Sequence, residues 1–376
     1  MAAPLKLFFD RALVERIAAS IAAVSPDFAR RGFVREATIG LDELELKDRA
    51  KQIAEALASH LPSEFARAAE VLRASLGPKH KSDELEGAGM APFFYLPHTM
   101  FVAERGLDHF EESMALQYEL TQRFTCEFSI RSFLDRHPEA TLSRLAEWAT
   151  DASPHVRRLV SEGTRQRLPW ATRVRLLDEH PERVLALIER LRDDPSTMVR
   201  RSVANHLNDL TKSRPELAFA VCERWLEDAT DARRQLVEHA LRSAVKRGDL
   251  RALALLGHGA KPKVKVEGVR FSPDRVAIGQ SVCVSLTVRS AARDAQALNL
   301  DLAVDFVKLR GVGTKVFKLR RVELAPRAAI ELEKRVSLAV HTTRTPNVGA
   351  HTVALLVNGT RIELGAFDVV AAKRTR

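Results

Sequence analysis

The chain has 376 residues, 45% hydrophobic and 29% charged, with a formal net charge of +10 at pH 7. That length exceeds a usual single domain, and the balance is that of a globular protein able to bury real cores, not of a disordered chain. No apolar run approaches the roughly 18 residues of a membrane span, and Met1-Ala2-Ala3-Pro4-Leu5-Lys6 runs straight into a helical pattern without the parts of a secretion signal.

From the start to residue 256, apolar residues recur with period 3.6 almost throughout, which predicts an all-α domain over 1–256. Pro or Gly breaks the pattern at Leu61-Pro62, Gly77-Pro78, His137-Pro138, His180-Pro181 and Arg214-Pro215. Residues 77–97 are the least regular, with a polar run at 79–83 and Gly87, Gly89 and Pro92, and read as a surface loop. The centre repeats itself: Val156-Arg157-Arg158-Leu159-Val160 returns 43 residues later as Val199-Arg200-Arg201-Ser202-Val203, and more weakly as Ala232-Arg233-Arg234-Gln235-Leu236. Each copy follows a partner segment ending near a bulky residue, Trp148, Leu191 or Trp225. Helix pairs at such spacing predict a HEAT-like α-solenoid, in which no pair can bury its apolar face alone.

Residues 257–263 read as a linker, and from 264 the period changes to two. Alternating or β-branched runs at 264–269, 282–288, 298–306, 316–322, 330–340 and 353–357, with a two-residue turn signal at Asn358-Gly359, predict about seven strands. Residues 264–376 are therefore expected to form an immunoglobulin-like β-sandwich. Cys126, Cys222 and Cys283 are odd in number, far apart and outside any CxxC pattern, so neither a disulfide framework nor a zinc site is signalled, and a reducing cytoplasm fits.

From His258 onward the chain carries 21 Lys+Arg against 10 Asp+Glu, which leaves 38 against 39 before it. A basic accessory domain on a nearly neutral body points to a polyanionic partner. If Val156 points inward, then Leu159, Val160 and Gly163 share its face, while Arg158, Glu162 and Arg165 lie opposite. In the second copy, Arg201, Asn205, Asn208 and Asp209 take the polar side. Stacking at a common register sets Arg158 beside Arg201 and Glu162 beside Asn205. Such arginines can grip phosphates with paired N–H donors, or serve only as structural salt bridges. Glu127 lies one turn from both Arg123 and Arg131, and Glu162 and Asp209 are likewise set among polar residues. On these grounds alone the three acids are as well explained as plain ion-pair partners.

At Arg123-Phe-Thr-Cys-Glu-Phe-Ser-Ile-Arg131, His155-Val-Arg-Arg-Leu-Val-Ser-Glu-Gly-Thr-Arg165, Arg167-Leu-Pro-Trp170 and Val199-Arg-Arg-Ser-Val-Ala-Asn-His-Leu-Asn-Asp209, the sequence resembles the AlkC family of DNA alkylation repair glycosylases. Leu44-Glu-Leu-Lys47, Ile53-Ala-Glu-Ala-Leu57 and Gly106-Leu-Asp108 extend the likeness over most of the helical part. Gln166 departs from the pattern, where Pro or a similar residue is expected, and this puts the turn before Trp170 in doubt. The resemblance implies a base-excision enzyme that cups duplex DNA and removes cationic N3-alkylated bases, such as 3-methyladenine and 3-methylcytosine, without flipping them. It implies Glu127, Glu162 and Asp209 as active-site acids and Trp170 as the aromatic residue near the lesion's sugar; in its absence Trp170 reads equally as a core residue. Arg157, Arg158, Arg165, Arg200, Arg201, Asn205 and Arg234 are the expected DNA contacts on the solenoid. Lys308, Arg310 and Lys315, on a glycine-tipped hairpin, are those expected on the sandwich.

No phosphate-binding loop, nucleophile triad or metal-ligand cluster is visible, so no cofactor and no metal are expected. The expected partner is alkylated double-stranded DNA, met by a monomer. The competing readings are a non-catalytic HEAT-repeat scaffold and a structure-specific DNA-binding protein, neither of which needs three carboxylates converging on one sugar.

Overall fold

The computed structural model describes residues 4–80, 91–258, 262–340 and 346–371. Part of the predicted surface loop, with its polar residues 81–83, Gly87 and Gly89, and the middle of the predicted linker lie outside the described residues.

Fifteen α-helices fill the first part among the described residues. They are α1 (Arg11–Ala22), α2 (Arg30–Thr38), α3 (Leu46–His60), α4 (Phe65–Ser75), α5 (Leu96–Arg105), α6 (Phe110–Thr121), α7 (Ser129–Arg136) and α8 (Pro138–Trp148). Then follow α9 (Pro154–Gly163), α10 (Arg175–Glu179), α11 (Leu185–Arg190), α12 (Thr197–Ser213), α13 (Pro215–Leu226), α14 (Asp231–Lys246) and α15 (Leu250–Leu255). Two of the breaks read from sequence become starts, Pro138 and Pro215, and Pro154 does likewise: they occupy the first turns of α8, α13 and α9, where a missing N–H costs nothing. Both copies of the 43-residue repeat begin helices, α9 and α12, which bury Val156, Leu159 and Val160, and Val199, Val203 and Leu207. No helix among the described residues is long and apolar enough to cross a membrane.

The predicted loop at 77–97 does not stay on the surface to its end. Ala91–Tyr95 form a 3-10 turn, and α5 begins with Leu96, Pro97, His98 and Thr99 all buried.

Eight strands follow: β1 (Val264–Ser272), β2 (Arg275–Ala277), β3 (Ser281–Ser290), β4 (Gln296–Val307), β5 (Val312–Leu324), β6 (Ala329–Ser337), β7 (Gly349–Val357) and β8 (Thr360–Val370). They form a three-stranded sheet, β1-β3-β6, and a five-stranded sheet, β2-β8-β7-β4-β5, in which only β2 and β8 run parallel. The alternation predicted in β3 and β4 is the core itself: Val282, Val284, Leu286 and Val288 meet Leu298, Leu300, Leu302 and Val304. Asn358 and Gly359 both have positive φ, 46° and 75°, the conformation a two-residue hairpin turn demands. The predicted run at 330–340 stops at Ser337.

By packing, the chain divides into two compact units: Met1–Ser213 with Asp228–Ala240, and Arg214–Glu227 with Leu241–Arg376. The second unit therefore holds α13 and α15 as well as the sandwich, and the Gly359 turn lies against Gly248 and Leu253.

Gly163, at the end of α9, tests this packing. A Cβ there meets Ile130 Cγ2 at 2.6 Å, so overpacking of about 1–3 kcal/mol outweighs the gain of about 1 kcal/mol that alanine brings to a helix. Gly163→Ala is expected to lower the urea midpoint without changing the slope of the transition.

Candidate active site

The site lies in the first unit, in a cleft of about 440 Å³. Its walls include Pro92 and Phe93 from the 3-10 turn, Phe124, Thr125, Glu127 and Phe128 between α6 and α7, Arg158 and Glu162 on α9, and Arg165, Leu168 and Trp170 just after it.

Charge in this cleft is organised as a chain. Arg158 Nη2 donates to Glu127 Oε2 at 3.0 Å and stands 3.9 Å from Glu162 Oε1. Arg165 Nη1 donates to Glu162 Oε1 at 2.6 Å, and its Nε donates to Asp209 Oδ2 at 3.0 Å. The order is thus Glu127, Arg158, Glu162, Arg165, Asp209, alternating in sign and spanning three elements of the sequence. All five side chains are largely buried, from 3% exposed at Asp209 to 19% at Arg158, so their pairing is worth far more than that of surface ion pairs.

Each acid is oriented as well as paired. The Ser202 hydroxyl, on α12, donates to Glu162 Oε2 at 2.6 Å, and the Thr125 hydroxyl donates to Glu127 Oε2 at 2.8 Å. Burial alone pushes the Glu162 carboxyl up, but the charges of Arg158 and Arg165 and the Ser202 hydroxyl outweigh it and hold the pKa below the usual value. Glu162 also occupies the last turn of its helix, where the macrodipole disfavours an acid. The two arginines offset that cost. Glu127 Oε1 makes no hydrogen bond with any described residue and stays open to the cleft. Asp209 is not part of the cleft wall; it reaches the site through Arg165.

Trp170 is no core residue. It is 56% exposed and has φ of 66°, a left-handed conformation that a bulky side chain adopts only when held there. The Lys47 ammonium donates to its carbonyl. The buried Arg131 donates to Gly163 O at 2.9 Å, Arg165 O at 2.8 Å and Thr172 O at 3.0 Å, fastening both ends of the segment that carries Trp170. Burial lowers the Arg131 pKa to about 10, so it remains a cation at neutral pH. Gln166, the departure from the family pattern, is buried and donates to Leu177 O at 2.6 Å, which stitches the same segment to α10.

The sequence-predicted residues therefore separate. Glu127, Glu162, Arg158, Arg165 and Trp170 come together, with Asp209 one side chain behind. The expected partners of Glu127 do not: Arg123 bonds Glu119 and Gly77 O, and Arg131 bonds backbone only. Nor does the common register hold, because Glu162 meets Ser202 while Asn205 meets His239 Nε2 at 3.2 Å. The cause is that α9 ends at Gly163, so Arg165 leaves the helix and folds back across the next repeat. Arg157 and Arg200 turn away from solvent. Arg157 clamps Asp194 through two bonds of 2.6 and 2.9 Å and caps Asp151 O, while Arg200 caps Asp194 O and Pro195 O. Arg201 and Arg234 are exposed and pair with no described residue. Lys308, Arg310 and Lys315 are exposed around the β4–β5 turn of the second unit, with Lys315 Nζ 4.9 Å from the centre of the Phe317 ring.

Sequence reasoning missed Phe93, Thr125, Phe128, Arg131 and Ser202. An aromatic run, Phe93-Phe94-Tyr95, immediately after a glycine-bearing loop was the one signal that could have found the first of them. The others depend on tertiary contacts that no spacing reports.

Beneath the site, His206 on α12 is fully buried. Its Nδ1 faces Ser161 O at 3.2 Å, and its Nε2 has no partner. Desolvation lowers its pKa to about 4, as it does that of the equally buried His98.

Known proteins match along the whole chain. Residues 123–248 match the family described as DNA alkylation repair enzyme, and residues 265–371 match the YhaZ C-terminal Ig-like domain. The Bacillus subtilis (strain 168) protein described as uncharacterized protein YhaZ is 33% identical over 363 residues, covering 95% of this chain and 97% of that one. The structure of the Pseudomonas fluorescens alkylpurine DNA glycosylase AlkC, bound to DNA containing an abasic site analog, is 36% identical. It superimposes with a TM-score of 0.89 over 98% of this chain and 100% of that one.

Two measurements test the geometry. Arg157→Ala leaves Asp194 buried and unpaired and is expected to cost about 3 kcal/mol, whereas Arg201→Ala stays within about 0.5 kcal/mol, both read by urea unfolding. His98 and His206 are neutral when folded down to pH about 4 and titrate near 6.5 when unfolded. Their contribution is whole above pH 6.5 and is lost as pH falls toward 4, on the order of 3 kcal/mol each. His206→Gln should flatten the fall of melting temperature between pH 7 and 4, and an unchanged slope would show that His206 is not buried neutral.

Proposed function

The chain belongs to the AlkC-like family of DNA alkylation repair glycosylases that carry a C-terminal Ig-like domain, and from that membership we propose that its cleft releases cationic N3-alkylated bases from duplex DNA. The observation that carries the reading is the buried chain of alternating charge beside an exposed, rigidly held indole. Three carboxylates meet two guanidiniums within the buried chain, and the Lys212 ammonium stands 3.7 Å from Asp209 at its end.

Alkylation at a ring nitrogen makes the base a cation, so it leaves as a neutral molecule without needing a strong general acid. As the glycosidic bond breaks, positive charge passes to the deoxyribose, and fixed carboxylates stabilise that oxocarbenium-like sugar. Glu162, charged, immobilised by the Arg165 and Ser202 donors and faced by Arg158, supplies this field. Glu127, with Oε1 free, orients the water that adds to the sugar carbon and accepts its proton. Asp209 acts through Arg165, which it holds against Glu162. The Trp170 face meets the cationic sugar and contributes about 0.5–2 kcal/mol. Because Glu127, Glu162 and the indole line an open cleft wall, the reading has the lesion stay in the duplex while its sugar is approached from outside.

On this reading Arg201, Arg234 and Asn205 meet the DNA backbone, and Lys308, Arg310 and Lys315 meet it from the hairpin of the second unit. Leu309, 96% exposed between two of those cations, has no packing reason to be apolar. A leucine so placed suits contact with base edges in a groove.

Release of free 3-methyladenine and 3-methylcytosine from methylated duplex under single turnover is the direct test. Glu162→Gln and Glu127→Gln keep shape and remove charge, so release is expected to fall about 10²- to 10³-fold with DNA affinity retained. Trp170→Ala is expected to slow release about 2- to 30-fold. Equal rates in all three variants would overturn the assignment. Since the second unit also contains α13 and α15, charge removal is a cleaner probe of the sandwich than truncation. K308A/R310A/K315A should lower the salt slope of binding by up to about 0.9 for each phosphate no longer neutralised.

A further inference from the structure

Most arginines expected to grip phosphate are spent inside the protein, which raises the question of which ones are not. The densest group that sequence reasoning passed over lies at the other end of the first unit, in a cleft of about 490 Å³ between α1 and α2. It is lined by Arg11 and Glu15 on α1, by Arg30, Arg31, Val34, Arg35 and Thr38 on α2, and by Ile39 just after it. Four guanidiniums face one carboxylate, and that carboxylate is taken up by Arg11 at 2.9 Å. Arg30, Arg31 and Arg35 are exposed, and their guanidiniums make no hydrogen bond or ion pair with any described residue.

Their placement is unfavourable for the isolated fold. Arg30 and Arg31 occupy the first turn of α2, where the macrodipole repels cations, and Ala29 at the N-cap offers no side-chain acceptor. Like charges at Arg31 and Arg35 stand one turn apart on one stripe, adding further repulsion. A bound anion removes all three penalties. A stripe of guanidiniums spaced by about 5–6 Å along an open cleft suits successive phosphates of a strand better than a single compact anion.

The cleft is tied to the active site by one helix. Lys47, in the first turn of α3, holds the Trp170 carbonyl, and Gln52, further along the same helix, donates to Ala37 O and Ile39 O at 3.0 and 2.8 Å. Five residues of helix are about 8 Å, so the near end of the arginine cleft stands on the order of 10–20 Å from Trp170. That is about three to six base pairs of duplex at about 3.4 Å each.

We propose that Arg11, Arg30, Arg31 and Arg35 form a second phosphate-holding site that clamps the DNA backbone on one flank of the lesion. This inference rests on the DNA reading above but not on the chemistry assigned to the acids. The clamp adds affinity and sets the length of duplex the protein needs. It does not touch the reacting sugar.

The experiment uses the full chain and R31E/R35E, with its melting temperature checked against wild type. Binding is measured on abasic-site duplexes with short arms on both sides, and on two asymmetric duplexes that carry a long arm on one side or the other. Wild type is expected to gain at least tenfold in affinity from one long arm only. The double variant should lose that gain, bind the short duplex as wild type does, and show a salt slope on the long-armed duplex about 2 units shallower. Equal loss on every duplex, or no loss on any, would overturn the clamp. Base release at saturating enzyme, measured on methylated duplexes of the same arm lengths, separates the two readings: if the variant still excises from the short methylated duplex and the long-arm gain persists, only the clamp fails, and if wild type releases no base, the chemistry fails with the clamp intact.

Discussion

The structure depends on a single constraint: the Glu162 carboxyl must remain ionised while largely removed from water. An isolated carboxylate in that position would take up a proton, because desolvation costs several kcal/mol. The two arginines prevent this by standing between the acids, so that Arg158 serves Glu127 and Glu162, and Arg165 serves Glu162 and Asp209. Arg158 and Arg165 hold Glu162 between them, and Asp209 is approached from its other side by the Lys212 ammonium at 3.7 Å. A buried ion chain is a poor source of stability compared with apolar packing. Its retention makes sense where a fixed carboxylate is wanted, as the proposed function places one beside a sugar that becomes cationic for the lifetime of a transition state.

The helical repeat is what brings these charges to one place, and its repeated Arg-Arg pair has divided labour. The first arginine of the first two pairs turns back on the preceding loop, Arg157 to Asp151 O and Arg200 to Asp194 O, and Arg157 also ties its loop to Asp194 of the next repeat, while in the third pair Arg233 holds Asp193 of the repeat before. The second faces the polar side, where Arg158 serves the acids and Arg201 and Arg234 remain free. Adjacent residues in a helix point about 100° apart, so one dipeptide can brace the stack and furnish the surface at once.

The period of the apolar residues made the fold legible: Val156, Leu159 and Val160, and Val199, Val203 and Leu207, are buried as a 3.6-residue rhythm requires, and the β3 and β4 alternation is the sandwich core. The short β2 and the weakly alternating β8 carried too little pattern to be read. At the site, composition showed acids among arginines but not which met which. Spacing alone cannot tell where α9 stops, and its end at Gly163 is what frees Arg165 to swing onto Asp209 and shifts the neighbour of Glu162 from Asn205 to Ser202. Arg131 looked like a partner for Glu127 because both lie in one motif. In the fold it points into the interior, where three carbonyls at the end of α9 and beyond Trp170 lacked donors.

That interior arginine explains how an exposed indole can be held in a costly backbone conformation. A left-handed φ at a residue the size of tryptophan costs on the order of 1–3 kcal/mol, and an exposed ring gains little from burial to offset it. The compensation lies on either side. Arg131 anchors Gly163, Arg165 and Thr172, Gln166 anchors Leu177, and Lys47 takes the Trp170 carbonyl itself. The strain is thus spread over bonds that would otherwise be unsatisfied backbone groups at a helix end. Trp170 and Glu162 are consequently fixed by the same scaffold, so the distance between the aromatic face and the carboxylate is set in advance, as the proposed stabilisation of a short-lived cation requires.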